Sequence, residues 1–489
     1  MNIKERVGPA ARPMKRRSLL QAALGGACVA ALPRMLRAET QADVLVLGAG
    51  LAGLHAALLL QEQGARVTVL EASDVVGGRI RTTMIDGVPY ELGASDVGEN
   101  YGRVIDAARR MNVGLSPDPI AIGEMSFSIG GRLLRAADWA NSSANLTVGD
   151  ERAVLPHVLE TASTFRLNPF GQNVGAWLEP AAESLDVSAA AYLQAQGVSP
   201  AAIALIDIAT DYTSLAETSM LSIFRDGARA RLGGMRDMAK ALHGPGGFPR
   251  AGIVGGSQRL PEAMAQGLAD PVRFGKAVRS IDSSSRGVEV RCADGSVFSA
   301  GMAICTIPFS TLRKITINPP LEGAQRDAIV DCAYGGTTHV ILEATAPFWD
   351  DDGFGPSMYM DGPLERVFAR KDRDGSIRNL RVWVNGDGAD RLDRLASGDV
   401  GSYVIREIEK VRPAAAGKLR YLQHYSWGAN PYINGHRHVF KPRQVSRFVH
   451  AMGRPWKRIH FAGEHLRQLE FGMEAAMESA ERAGATRLR

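Results

Sequence analysis

Apolar and polar positions organise into recognisable elements from about residue 44 onward. Val44 to Leu47 is a short apolar run suited to a buried parallel strand, Leu51 to Gln63 is an apolar helix, and Arg66 to Leu70 is a second strand. Helical patterns recur at Ala189 to Gln196 and Ala201 to Thr210. Val278 to Ile281 and Val288 to Val290, followed by Asp294-Gly295, read as strands with a hairpin turn. Val340 to Leu342, Val382 to Val384 and Leu419 to His424 predict strands of a mixed sheet, and Gly244 to Pro249 (GPGGFP) predicts a loop. The chain shows no internal repeat, heptad series or low-complexity tract. Its 489 residues imply two or three domains around a large interior.

Between the first strand and helix lie Gly48, Gly50 and Gly53. The first permits a tight turn, the second lets a pyrophosphate approach the backbone, and the third lets helix pack closely on strand. The phosphates then rest on the helix N-terminus at Leu51 and Ala52. Glu71, followed by Ala72, ends the second strand where a carboxylate accepts hydrogen bonds from ribose hydroxyls and repels a 2'-phosphate, which disfavours NADP. The unit does not separate NAD from FAD.

The formal charge of +5 comes from the N-terminus: residues 1 to 40 hold eight basic and two acidic residues, leaving 49 basic and 50 acidic residues in the body. A body so close to neutral has no global electrostatic reason to bind nucleic acid. The segment MKRRSLLQAALGGACVAALPRMLRAET has a basic start, an apolar run from Leu19 to Leu32 and small residues ending near Ala38. It reads as a cleavable export signal, and Arg16-Arg17-Ser18-Leu19-Leu20 resembles the twin-arginine type. Periplasmic or secreted localisation is expected, with no transmembrane anchor after signal removal. Cys292, Cys305 and Cys332 are odd in number and lack CxxC spacing, so they imply neither a zinc site nor a disulfide framework. His436 and His438, at i and i+2, would share a face if extended and leave a metal clip geometrically open, yet no carboxylate or cysteine cluster stands near them in sequence.

Gly77-Gly78-Arg79 decides the nucleotide question: this extension resembles the flavin-containing amine oxidase family, in which the loop wraps the FAD pyrophosphate and the arginine neutralises it. The resemblance continues through Glu91 to Ser95 (ELGAS), Gly255 to Leu260 (GGSQRL), Thr306-Ile307-Pro308, Pro319-Pro320-Leu321, Pro347-Phe348-Trp349, Phe461 to Glu464 (FAGE) and Gly472 to Ala476 (GMEAA). It implies an α/β protein: a discontinuous Rossmann-like FAD-binding domain from residues 41–97, 250–320 and 450–489, and a mixed-sheet and helical substrate domain from 98–249 and 321–449. FAD contacts are then expected from Gly93 and Ala94 along the flavin, from the Val278 backbone at adenine, and from Gly463, Glu464 and Met473 at the ribityl chain, pyrophosphate and flavin.

The implied reaction is hydride transfer from the carbon beside an amine nitrogen to flavin, giving an imine that hydrolyses. An amino acid substrate, desaturation of a C-C bond, or a flavin-binding partner protein without turnover are alternatives on the same fold. The chain departs from the family at four positions around the flavin. His339 stands in Tyr334 to Val340 (YGGTTHV) where the family carries a lysine that holds water near the flavin; it either takes over that hydrogen bonding or is structural. Loss of the lysine opens a choice of electron acceptor between oxygen and an exported partner such as a cytochrome. In Trp427 to Arg437 (WGANPYINGHR), Arg437 replaces the first aromatic of the amine cage and His436 the cysteine that tethers flavin in monoamine oxidases. Gly472 replaces the second aromatic, leaving Trp427 or Phe471 to supply a wall. Arg437 is expected to recognise an anionic group on the substrate, to support the charge of reduced flavin, or to sit in a structural ion pair. His436 is either packing or a covalent attachment point.

Overall fold

The computed structural model describes residues 39–98, 100–116, 122–208, 210–232, 250–371 and 375–485. The expected signal over residues 1–40 lies outside the described residues except for its last two, which open a strand, and the Gly244 to Pro249 loop lies outside them altogether. A first sheet is built on the strand Glu39–Leu47, which starts two residues before the expected boundary and pairs in parallel with Val67–Leu70 on one side and Val297–Cys305 on the other. Val297–Cys305 also accepts two further neighbours along its other edge. Its first half pairs antiparallel with Val288–Cys292, and its second half pairs in parallel with Ile459–Phe461. Val278–Ser283 and Thr316–Asn318 complete this sheet.

The helix Leu51–Glu62 is apolar nearly all round, and such a helix belongs in an interior. Leu54, Ala57 and Leu60 are wholly covered, and they share a core with Val44 and Val46 of the first strand and Met477 and Ala480 of the C-terminal helix Gly472–Ala485. The opposite face of the sheet is sealed by Phe298, Phe309, Phe448 and Ile459.

A second sheet runs in the order Leu419–Ser426, Thr337–Ala344, Ile377–Asn385, Arg366–Lys371, Ser357–Met360, Met125–Ile129 and Arg132–Arg135. All neighbours are antiparallel except Ser357–Met360 with Met125–Ile129, so the sheet is mixed. The helix Val400–Val411 covers it through Val404 and Ile408, packed with Val340, Leu342 and Val382. The helices Ala189–Ala195, Pro200–Ile208 and Met220–Leu232 form a further core with Phe127 and Trp139. Among the described residues no helix is long and apolar enough to cross a membrane.

Candidate active site

At the C-terminal end of the first strand the chain turns sharply into the helix. Gly48 has φ +109°, and a Cβ there would fall 2.6 Å from Thr306 Oγ1, itself held by a 2.8 Å hydrogen bond to the Leu47 carbonyl. Gly53 has no room either: a Cβ would lie 1.9 Å from the Gly48 carbonyl oxygen. Gly50 differs. It caps the helix in an extended conformation, and a Cβ on it would meet only Gly78 Cα, at 3.8 Å. No side chain caps this helix, so its first N–H groups remain available. Open space over Gly50, uncapped N–H donors and a nearby arginine fit a pyrophosphate.

Glu71 leaves the second strand and turns back over this loop. One of its carboxylate oxygens accepts from the Ala49 N–H at 2.8 Å, and the other accepts from the Ser73 N–H and hydroxyl at 2.9 and 2.8 Å. Arg79 donates to the His436 carbonyl at 2.8 Å and to Glu464 at 3.0 Å. Glu464 also receives Arg467 at 3.0 Å. Burial opposes its charge, but Arg467 and Arg79 outweigh burial and hold its pKa well below the usual carboxylate range.

These groups line one cavity of about 370 Å³, which also reaches the substrate-side sheet. Gly48, Gly50, Leu51, Ala52, Glu71, Ala72, Gly78, Arg79 and Val278 form one part of its wall. Gly93, Ala94, Gly463, Glu464, Met473, Trp427, Phe471, Gly472, His339, His436 and Arg437 form the rest. Of the residues chosen from sequence only Gly53 is absent from the wall. It packs helix against turn rather than touching the cavity, because its missing side chain faces the Gly48 carbonyl.

His339 is buried on Thr337–Ala344, paired in register with Trp383 on one side and Tyr425 on the other. Its ring meets the Trp383 ring edge-on at 4.9 Å, and its Nδ1 has no hydrogen-bond partner among the described residues. Burial, reinforced by Arg381, His436 and Arg366, pushes its pKa well below the ordinary value, so it is a neutral imidazole. Trp383 is the aromatic wall that sequence reasoning missed, with Arg366 and Arg381 placed over its ring at 5.0 and 5.1 Å. Trp427 donates its indole N–H to the Leu92 carbonyl at 2.6 Å and crowds Gly93, where a Cβ would approach within 2.9 Å. Phe471 leans on Tyr101, ring centroids 5.9 Å apart.

Arg437 pairs with Asp226, and its guanidinium lies 4.9 Å from the centre of the Tyr212 ring. Tyr212 donates to the same carboxylate at 3.0 Å, and Arg225 also binds it. Burial works against the Arg437 charge, but Asp226 and Tyr212 more than offset it and raise its pKa. Asp211, which unlike Asp226 does line the cavity, pairs with Arg366 at 3.1 Å. Burial would raise the pKa of Asp211, yet Arg366, His436 and Arg437 hold it low. Arg437 therefore does sit in an ion pair, one of the readings open from sequence, and it lines the cavity as well.

The metal-clip geometry does not form. His436 lies just before the strand Arg437–Val439 and His438 within it, and the two rings have different partners. His436 Nδ1 lies 2.8 Å from Thr337 Oγ1, whereas His438 Nδ1 accepts from Arg467 at 2.7 Å. Among the described residues no group of three or more His, Cys, Asp or Glu side chains is placed to hold a metal.

Residues 51–486 match the family described as flavin containing amine oxidoreductase. An L-amino acid oxidase of Lachesis muta is 26% identical over 472 residues, covering 89% of this chain and 85% of that protein. The human flavin-containing amine oxidase B is 25% identical over 463 residues, covering 91% and 86%. Solved structures of a putrescine oxidase bound to putrescine and of a cyclohexylamine oxidase from Brevibacterium oxydans superpose with TM-scores of 0.73 at 21% and 20% identity. They cover 92% and 91% of this chain and 99% and 98% of theirs.

Proposed function

The chain belongs to the flavin-containing amine oxidoreductase family, and from that premise we propose that it oxidises the C-N bond of a small amine, giving an imine that hydrolyses. The observation that carries the reading is the single cavity joining the glycine turn and Glu71 to a wall of His339, Trp383, Trp427 and Arg437. FAD supplies the two-electron acceptor for the hydride. The chain's own part is orientation and dryness. The buried, neutral His339 and Trp383 exclude water on one side, and Trp427 shapes another.

A second reading, oxidation of an amino acid, is favoured by one arrangement: Arg437 and Asp211 bring opposite charges to the same wall, which matches a zwitterion. The electron acceptor is oxygen or an exported redox protein such as a cytochrome. Export would follow from the N-terminal segment, and a mature N-terminus near residue 39 in the periplasmic fraction, read by mass spectrometry, checks it.

Anaerobic mixing of the FAD-loaded protein with amines and amino acids is the deciding experiment. Bleaching of the flavin band by an amine is the expected result, and bleaching by amino acids alone selects the second reading. A loaded protein that no candidate bleaches would instead be a flavin-binding partner without turnover.

A further inference from the structure

Thr337, Asn385, Trp383 and His436 form a chain of hydrogen bonds whose direction is fixed. Trp383 Nε1–H, which can only donate, points at Asn385 Oδ1 at 2.9 Å, while Asn385 Nδ2 donates to the Thr210 carbonyl at 3.2 Å. Flipping the amide would set two donors against each other and two acceptors against each other, so the orientation follows from the partners. Thr337 Oγ1 lies 2.8 Å from Asn385 Oδ1 and 2.8 Å from His436 Nδ1. Two oxygens at that distance need a hydrogen between them, and only the threonine has one to give. Its hydroxyl therefore donates to Asn385 and must accept from His436, which puts the imidazole proton on Nδ1.

His436 Nε2 is then left with its lone pair, on a residue that lines the cavity. No protein group among the described residues bonds to it. Burial, opposed by Asp211 and Glu464 and aided by Arg437 and Arg79, lowers the ring's pKa to about 4, so the lone pair persists at neutral pH.

We propose that the Asn385–Thr337 pair locks His436 as the Nδ1–H tautomer, so that Nε2 accepts a hydrogen bond from the N–H of the bound substrate. The second half rests on the amine reading above; the first does not. Thr337 and Asn385 are positioning residues acting through His436. An acceptor at this point orients the nitrogen without removing its proton, since so weak a base cannot hold one. Thr337→Val removes the acceptor for Nδ1–H and makes the opposite tautomer the better one, because a buried N–H without a partner is costly. The cavity wall then offers a donor where it offered an acceptor.

The test uses FAD-loaded protein labelled with ¹⁵N-histidine, with the His436 signals assigned by their loss in His436→Gln. The expected spectrum shows His436 protonated on Nδ1 in the native protein and in Thr337→Ser, and on Nε2 in Thr337→Val. Nε2 protonation in the native protein overturns the lock. Benzylamine is the substrate probe: its Kd should rise about tenfold in Thr337→Val and return in Thr337→Ser, with kcat moving less than Kd. A switched tautomer with unchanged benzylamine affinity overturns the acceptor role. Absence of benzylamine binding to native protein overturns it together with the amine reading, while the lock is still decided by the spectrum.

Discussion

Substituting Gly50 and Gly53 separately by alanine distinguishes fold from cofactor binding within a single turn. A Cβ on Gly53 would sit 1.9 Å from the Gly48 carbonyl oxygen and 3.1 Å from Val46 Cγ1. Real Cβ contacts do not occur below 3.0 Å, so helix and turn must separate by about 1 Å. Forced overpacking of this kind costs about 3 kcal/mol, the upper part of its usual range. Alanine's helix preference over glycine returns about 1 kcal/mol. A net loss of about 2 kcal/mol in the FAD-free protein is expected for Gly53→Ala. Gly50 has φ −73° and ψ 174°, which alanine adopts freely, and its nearest neighbour would be 3.8 Å away. Gly50→Ala should shift FAD-free stability by less than about 0.5 kcal/mol. Its methyl group occupies the space over the helix N-terminus, where losing a hydrogen bond to a charged phosphate costs about 1.5–3 kcal/mol, or roughly ten- to a hundredfold in Kd. Urea denaturation of FAD-free protein and fluorescence titration with FAD measure the two effects separately. If Gly50→Ala destabilised the FAD-free fold as much as Gly53→Ala, or bound FAD with native affinity, the separation of roles would be wrong.

Stability should be highest over a broad plateau between about pH 4.5 and 6.5, across which the histidine and glutamate contributions offset each other. His436 and His465, lowered to about 4 and about 3 mainly by burial, stay neutral in the fold while the unfolded chain protonates near 6.5, so their contribution falls as pH drops through that window. Glu160 and Glu365, raised to about 7 and about 8 by burial, hold protons the unfolded chain releases near 4.5, so theirs falls as pH rises towards 8. Urea midpoints across pH 4 to 9 check both slopes. Asp226→Asn strands Arg437 and the buried Arg225, with an expected loss of about 3 kcal/mol by denaturation. The same variant should bind benzoate more tightly than native protein by direct titration, because Arg437 loses its internal carboxylate. Reoxidation by oxygen should be slower than by a dye acceptor in stopped-flow, since the neutral His339 supplies no cation at the position where the family carries a lysine; equal rates would remove the argument for another acceptor.

The nucleotide end of the cavity was legible because it depends on local absences. Gly48 and Gly53 are demanded by atoms within a few residues or by Thr306 across one strand pair, and a glycine spacing records that directly. The substrate end depends on register and long-range packing. Trp383 reaches His339 only because their strands pair at that step, and reading Val382 to Val384 as a strand gave no offset. The available signal was a lone aromatic between two valines, two residues after Arg381. Asp226 meets Arg437 across 211 residues, which no spacing rule captures. The two histidines could be placed only as neighbours in sequence, because their partners, Thr337 and Arg467, come from distant segments.

The strand Val297–Cys305 holds Glu39–Leu47 along one edge and Ile459–Phe461 along part of the other, with Glu464 a few residues beyond. The site is therefore assembled from segments more than 400 residues apart, which the ribosome makes at widely separated times. At about 5–20 residues per second, the ribosome needs roughly 20–80 s to proceed from the first phosphate-binding turn to the last helix. Throughout that interval the nascent chain carries half a nucleotide site and an unpaired strand edge. Cofactor capture can only follow release of nearly the whole chain, so truncations near the C-terminus should yield protein without flavin rather than protein with weaker binding. A route that exports only finished, loaded molecules would suit a chain built in this order.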